Sequence, residues 1–221
     1  EPSKLAELQN LWWEEAEKHG VLPLDDRGFE LFGARFRDQS PHPISRKYVY
    51  RPPMSPIPGQ ASAAIGGRSF DLTATITRQR NDNGVLFSTG TENSGISIFI
   101  QNERLVVDYN AFDDHSVVTS SIEIPAGYST VSAQFRRLKK GGEITIYVNG
   151  EPSGSVRVPL FMRMISSVGS SIGYDHGSAV SPQYESPFPF QGQLHQIEIQ
   201  LAAKRAPDTD KAQARAENAR Q

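Results

Sequence analysis

Residues 96–109 read Ile96-Ser97-Ile98-Phe99-Ile100-Gln101-Asn102-Glu103-Arg104-Leu105-Val106-Val107-Asp108-Tyr109. Successive side chains of an extended chain point to opposite faces, so Ile96, Ile98 and Ile100 share one side. Leu105, Val107 and Tyr109 repeat the phase after the Gln101-Asn102-Glu103-Arg104 turn, and the two runs pair as a hairpin. The same period of two recurs elsewhere. Phe70, Leu72, Ala74 and Ile76 alternate with Asp71, Thr73, Thr75 and Thr77, which describes a half-buried strand with one wet face. Val131, Ala133 and Phe135 lead into the Gly141-Gly142 turn, and Ile144, Ile146 and Val148 follow it. Asn149-Gly150 is a strong two-residue hairpin signal, because both positions of such a turn need positive φ. Ile197, Ile199 and Leu201 are in phase while Leu194 is not, which predicts a bulge near His195-Gln196. Gly169-Ser170-Ser171-Ile172-Gly173 belongs to a strand alternation and reads as close sheet packing. Many short strands joined by Gly and Asn turns predict an all-β sandwich or jelly roll.

The flanks follow other rules. Leu5, Leu8, Trp12 and Ala16 form one stripe at helical spacing, with Leu11 beside it and Glu and Lys opposite, so the chain opens with one amphipathic helix. Pro2 suits its first turn, and Gly20 supplies a left-handed cap on which Val21 folds back. So wide a stripe is expected to dock, on the sandwich or on a further domain. Pro23, Pro41, Pro43, Pro52, Pro53, Pro56 and Pro58 then remove backbone donors. The expected organisation is a helix and lead-in over 1–35, a proline-rich wrapping linker over 36–68 and the sandwich over 69–201. A charged, Ala-rich tail without an apolar stripe covers 202–221, a disordered end or a frayed helix.

Composition narrows the function. The chain has 221 residues, 37% apolar and 22% charged, enough for a real core. A net charge of −2 gives no basic footprint for nucleic acid or anionic lipid. The absence of cysteine excludes disulfides, thiolate zinc sites and cysteine nucleophiles. No apolar run approaches the roughly 18 residues that span a bilayer. Glu1-Pro2-Ser3-Lys4 does not read as a signal peptide, since no apolar stretch follows it. Cytoplasm and periplasm both stay open.

Chemistry is sparse. Of the five histidines, none stands three or four residues from another. His115 and His176 follow aspartates, and Asp113-Asp114-His115 with Asp175-His176 could place oxygen ligands on calcium; turn chemistry is the other reading of such aspartates. A nucleophilic serine needs an elbow or an adjacent base, and no active site is expected here.

Two stretches resemble a known family. Lys4-Leu5-Ala6-Glu7-Leu8, Leu11-Trp12-Trp13-Glu14-Glu15-Ala16 and Val21-Leu22-Pro23-Leu24-Asp25-Asp26-Arg27 resemble the end of a bacterial type I arylsulfatase domain. Ser171-Ile172-Gly173-Tyr174-Asp175, Gly177 to Ser181, and Tyr184 with Ser186-Pro187-Phe188 resemble the concanavalin/laminin-G-like sandwich that follows it. The resemblance implies a non-catalytic C-terminal domain packed on a sulfatase catalytic domain, shaping its substrate entrance or an oligomer interface. That catalytic domain would hold the formylglycine, made within Cys/Ser-x-Pro-x-Arg, and the calcium ion. Ser40-Pro41-His42-Pro43 has its prolines at the wrong offset, so no catalytic residue carries over. The alternative is a carbohydrate-binding module, whose candidate contacts are Tyr109, Phe112, Asp113, Asp114 and His115 with Asp175, His176 and Tyr184. For the aromatics among them, packing inside the sandwich is the competing reading.

Overall fold

The computed structural model describes residues 2–19, 47–59, 61–162 and 168–202. They fall into two compact units, Glu1–Pro43 and Ile44–Gln221. In the first, α1 spans Pro2–Lys18. Ala16 is buried, while Leu5, Leu8, Leu11, Trp12 and Trp13 are each about half exposed. The cap at Gly20 and the fold-back of Val21 lie outside the described residues, as do 36–46 and the tail from 203. Among the described residues no helix is long and apolar enough to cross a membrane.

Among its described residues the second unit holds eleven strands: β1 (Lys47–Tyr50), β2 (Phe70–Arg78), β3 (Gly84–Thr91), β4 (Ser94–Gln101), β5 (Arg104–Ala111), β6 (Asp114–Thr119), β7 (Gly127–Arg137), β8 (Gly142–Val148), β9 (Glu151–Val158), β10 (Ser170–Ile172) and β11 (Gln193–Leu201). They form two antiparallel sheets, one ordered β1-β11-β2-β7-β8-β9 and the other β10-β3-β4-β5-β6. The fold is an all-β sandwich. Its central hairpin has the predicted register, with Ile96 opposite Tyr109, Ile98 opposite Val107 and Ile100 opposite Leu105. The predicted bulge falls between Leu194 and Gln196.

Between the sheets, inward residues of β2 and β7 meet those of β4 and β5 in one core. Phe70 and Phe135 stack across neighbouring strands with centroids 4.2 Å apart. Each such side chain contributes roughly 1.5–3 kcal/mol by leaving water. The two sheets differ on their outer faces. β2, β7 and β8 alternate between buried and half-exposed positions, whereas β3, β4 and β5 are buried at nearly every residue.

The proline-rich stretch departs from expectation. Lys47–Tyr50 pairs with β11 as an edge strand, and Ile57 exchanges two backbone hydrogen bonds with Ser170 at 2.7 and 2.9 Å. Ala63 and Ile65 are buried, and the Ala63 N–H donates to the Tyr50 hydroxyl at 3.1 Å. The sandwich therefore begins at Lys47, not at 69. An edge strand needs its donors on one side only, so prolines just beyond it are tolerated.

A guanidinium sits inside. Arg78, at the inward-facing end of β2, is 2% exposed. Its Nη1 donates to the Ile124 carbonyl at 2.6 Å and pairs with Glu103 Oε2 at 2.8 Å. The hydrogen bond from Arg78, and then the one from Asn81 N–H, hold the Glu103 carboxyl below the ordinary glutamate value of 4.5. A carboxylate whose pKa is depressed on folding stabilises the fold above its unfolded pKa, and that contribution disappears as pH falls through the folded value. Urea midpoints measured on descending from neutral pH should accordingly drop for the native chain below the ordinary glutamate range. In Glu103→Gln that drop should be smaller, with lower stability at neutral pH; an unchanged acid limb would refute the assignment.

Candidate ligand-binding rim

Register places three rows across the outer face of the β10-β3-β4-β5-β6 sheet. Val85, Phe99 and Val106 make an apolar row; Ser171, Ser88, Ser97 and Asp108 a polar one; Gly90, Gly95, Asn110 and His115 a third. The chain from Gly173 to Gly192 covers them. It is anchored by Val85 N–H to Phe188 O at 2.9 Å, Gly173 N–H to Leu86 O at 2.9 Å, and Gln101 Nε2 to Gln183 O at 3.1 Å. Tyr184 and Phe188 pack on the apolar row as a second small core. A Cβ at Gly95 would approach Thr89 O to 2.6 Å and Val180 Cγ1 to 2.9 Å, so this position takes glycine.

The polar row is satisfied from above. Tyr184 bridges it, with its hydroxyl 2.8 Å from Ser97 Oγ and 2.7 Å from Asp175 Oδ2, to which it donates. Asp175 also accepts from Val180 N–H at 3.2 Å. Burial foremost, with the Asp175 charge adding to it and the Ser97 bond opposing, holds the Tyr184 phenol far above its ordinary range. Ser171 Oγ lies 2.9 Å from Ser88 Oγ and 3.0 Å from His176 Nδ1. Gly169-Ser170-Ser171-Ile172-Gly173 does have the Gly-x-Ser-x-Gly spacing. Ser171 nevertheless sits on β10 at 0% exposure, not at an exposed strand-to-helix elbow. Its hydroxyl is enclosed between β3 and the covering loop.

At one end of the sheet the face opens. The β5–β6 hairpin turns through Phe112 and Asp113, both left-handed at φ 58° and 67°. Phe112 is 69% exposed and the Asp113 side chain 94%. Asn110, fully buried, ties this turn to its neighbours: its Oδ1 accepts from Asp113 N–H at 2.9 Å, and its Nδ2 donates to Glu92 O at 2.6 Å and Val180 O at 3.3 Å. His115 follows on β6. Its Nδ1 lies 2.9 Å from both carboxylate oxygens of Asp108, which is 0% exposed.

The candidate contacts therefore separate. Phe112, Asp113, Asp114 and His115 share the rim, and His176 is exposed on the covering loop. Asp114 and His115 open strand β6 instead of lying in a loop, because the turn closes in two residues. Tyr109 is no surface contact: it stacks on Phe161 at 5.5 Å inside the sandwich, and burial raises its phenol to about 12. Asp175 and Tyr184 are buried and hold the covering loop. Among the described residues no three histidine, aspartate or glutamate side chains converge as metal ligands. Asp108 and Asn110 join the site only through the fold. Their signal in the sequence is Phe99 and Val106, apolar residues on the phase opposite Ile98 and Val107.

A separate cleft of about 220 Å³ lies between Pro53, Met54, Ile172, Tyr174, Phe190 and Leu194. Its lining is apolar, with a long hydrogen bond from the Tyr174 hydroxyl to Met54 O at 3.5 Å.

No family model and no curated protein matches the chain. Solved structures do. The CBM40 of a Ruminococcus gnavus IT-sialidase is 15% identical, with 66% of this chain and 81% of that one covered at a TM-score of 0.48. Domains LG4-5 of the mouse laminin alpha1 chain are 15% identical over 72% and 41%, with a TM-score of 0.42. The Caenorhabditis elegans galectin LEC-6 is 11% identical over 68% and 94%, also at 0.42. The likeness is one of architecture. None of these comparisons links the chain to arylsulfatases.

Proposed function

We propose that this sandwich is a non-catalytic carbohydrate-binding module whose contact surface is the rim around Phe112. One observation carries the reading. A bulky aromatic occupies a left-handed turn position, 69% exposed, where Asn or Gly would close the hairpin without strain. Left-handed backbone costs a side-chain-bearing residue roughly 1–2 kcal/mol, and an unfavourable conformation held at an exposed site points toward function. The chemistry suits a sugar: the ring face offers apolar contact to C–H groups, and Asp113 and His115, on the same hairpin, supply polar partners for hydroxyls.

Phe112→Asn separates recognition from folding. It should raise stability by up to about 1 kcal/mol through relief of the turn, while calorimetric titration against a saccharide bound by the native chain should show binding lost. Unchanged affinity would end this reading.

A second reading, a domain packed on an arylsulfatase-like catalytic domain, draws support from α1, whose Leu5, Leu8 and Trp12 are 59%, 51% and 45% exposed. A native chain with Phe112 intact that binds no saccharide favours it.

A further inference from the structure

We infer that Asp108 is a positioning residue that turns His115 into a hydrogen-bond acceptor, making the rim select neutral or amino sugars over sialylated and sulfated ones. The inference rests on the carbohydrate reading of the rim and deepens it. Asp108 is 0% exposed on the outer face of β5, covered together with Val106 and Asn110. Among the described residues, the hydrogen bonds to its carboxylate come from His115 alone, whose Nδ1 is 2.9 Å from each oxygen. A buried carboxylate without a donor is strongly disfavoured. A carboxylate only accepts, so a hydrogen bond between the two groups takes its proton from the ring, at Nδ1.

On a neutral ring the other nitrogen is thereby fixed. In a neutral imidazole with its proton on Nδ1, Nε2 carries the lone pair and accepts. His115 is 21% exposed, and its Nε2 lies 3.8 Å from Asp113 Oδ1, beyond hydrogen-bond distance, so it is available to a ligand. The rim then presents Nε2 and the Asp113 carboxylate at the Phe112 turn, while Asp114, opposite Ala111, stands on the other face of β6. Among the described residues no lysine or arginine pairs with either aspartate. Every polar group in this set accepts. Hydroxyls and ammonium groups donate to such a surface; carboxylated or sulfated sugars bring acceptors and like charge, which it repels.

Two measurements on the full chain test this. Nitrogen–proton correlation NMR of the imidazoles, at mildly alkaline pH, should show His115 with Nδ1 protonated and Nε2 bare. In Asp108→Asn, whose carboxamide both donates and accepts, the ring should shift toward the other tautomer with the fold retained by circular dichroism. A native His115 protonated at Nε2 would overturn the assignment. Titrations with N-acetyllactosamine, sialyllactose and a sulfated disaccharide should rank the neutral sugar tighter by about tenfold or more, and Asp108→Asn should erase most of that margin. Equal or tighter binding of the anionic sugars refutes the selectivity. If no saccharide binds at all, the carbohydrate reading fails, and with it the selectivity, while the tautomer measurement still decides the role of Asp108.

Discussion

Tyr184→Ala is expected to lower the unfolding free energy by about 3–5 kcal/mol, the range for removing a large buried side chain. Three losses combine. The ring leaves a void beside Phe99 and Phe188, whose centroids lie 5.0 and 5.2 Å away. The hydroxyl that joins Ser97 to Asp175 disappears. Asp175, at 0% exposure, keeps only backbone donors, from Val180 at 3.2 Å and Gly177 at 3.5 Å. Tyr184→Phe isolates the hydroxyl and should cost about 1–3 kcal/mol, the penalty for leaving a buried polar group without its partner. Denaturant titration supplies both numbers. Amide exchange supplies the location: in Tyr184→Ala, protection should fall first at Asp175 and Val85, whose N–H groups bond Pro187 O and Phe188 O. Uniform loss across both sheets would mean that the covering loop and the sandwich unfold as one.

Arg78→Ala should be as damaging, again about 3–5 kcal/mol, for a different reason. The substitution empties a fully buried volume and strands the Ile124 carbonyl, which Nη1 satisfies at 2.6 Å. Arg78→Met discriminates packing from charge. Nε and Nη2 of Arg78 are buried without hydrogen-bond partners, so the guanidinium is incompletely compensated for leaving water. Methionine fills much of the same space without that penalty, and Glu103, with its side chain 25% exposed, can turn to solvent. Arg78→Met should therefore lose markedly less than Arg78→Ala, because apolar replacement of a buried ion pair is often near neutral. Equal losses would assign the stabilisation to the ion pair and not to the filled volume.

The parts of this fold that were legible are those governed by period. Ile96 to Tyr109 gave the hairpin and its register, and the misplaced Leu194 gave the bulge. For Tyr109 the structure takes the packing reading, since it shares the inward phase of Leu105 and Val107. The covering loop was not legible, because Gly173 to Gly192 carries no repeat; its order comes from single long-range bonds to Leu86, Val85 and Gln101. That omission propagated. Ser88, Ser97 and Asp108 occupy positions that in an uncovered antiparallel sheet would face water, so nothing local marked Asp108 as the partner of His115. Phe112 was visible as an aromatic beside two aspartates, but its left-handed backbone emerges only when Ala111 pairs with Asp114. The likeness of residues 4–27 and 171–201 to arylsulfatases finds no support in any comparison.

Three hairpins close through two-residue turns with both residues left-handed: Asn102-Glu103, Phe112-Asp113 and Asn149-Gly150. They share a backbone and divide the labour. Glu103 holds the buried Arg78, Asn149 Oδ1 accepts from Thr130 N–H at 2.8 Å, and Phe112 faces outward. Of these three side chains, that of Phe112 is turned to solvent. Such a turn is an exchangeable cassette: the ladder fixes where it stands, and the dipeptide fixes what it meets. Two codons are enough to change what such a turn presents to its surroundings, without reopening the core.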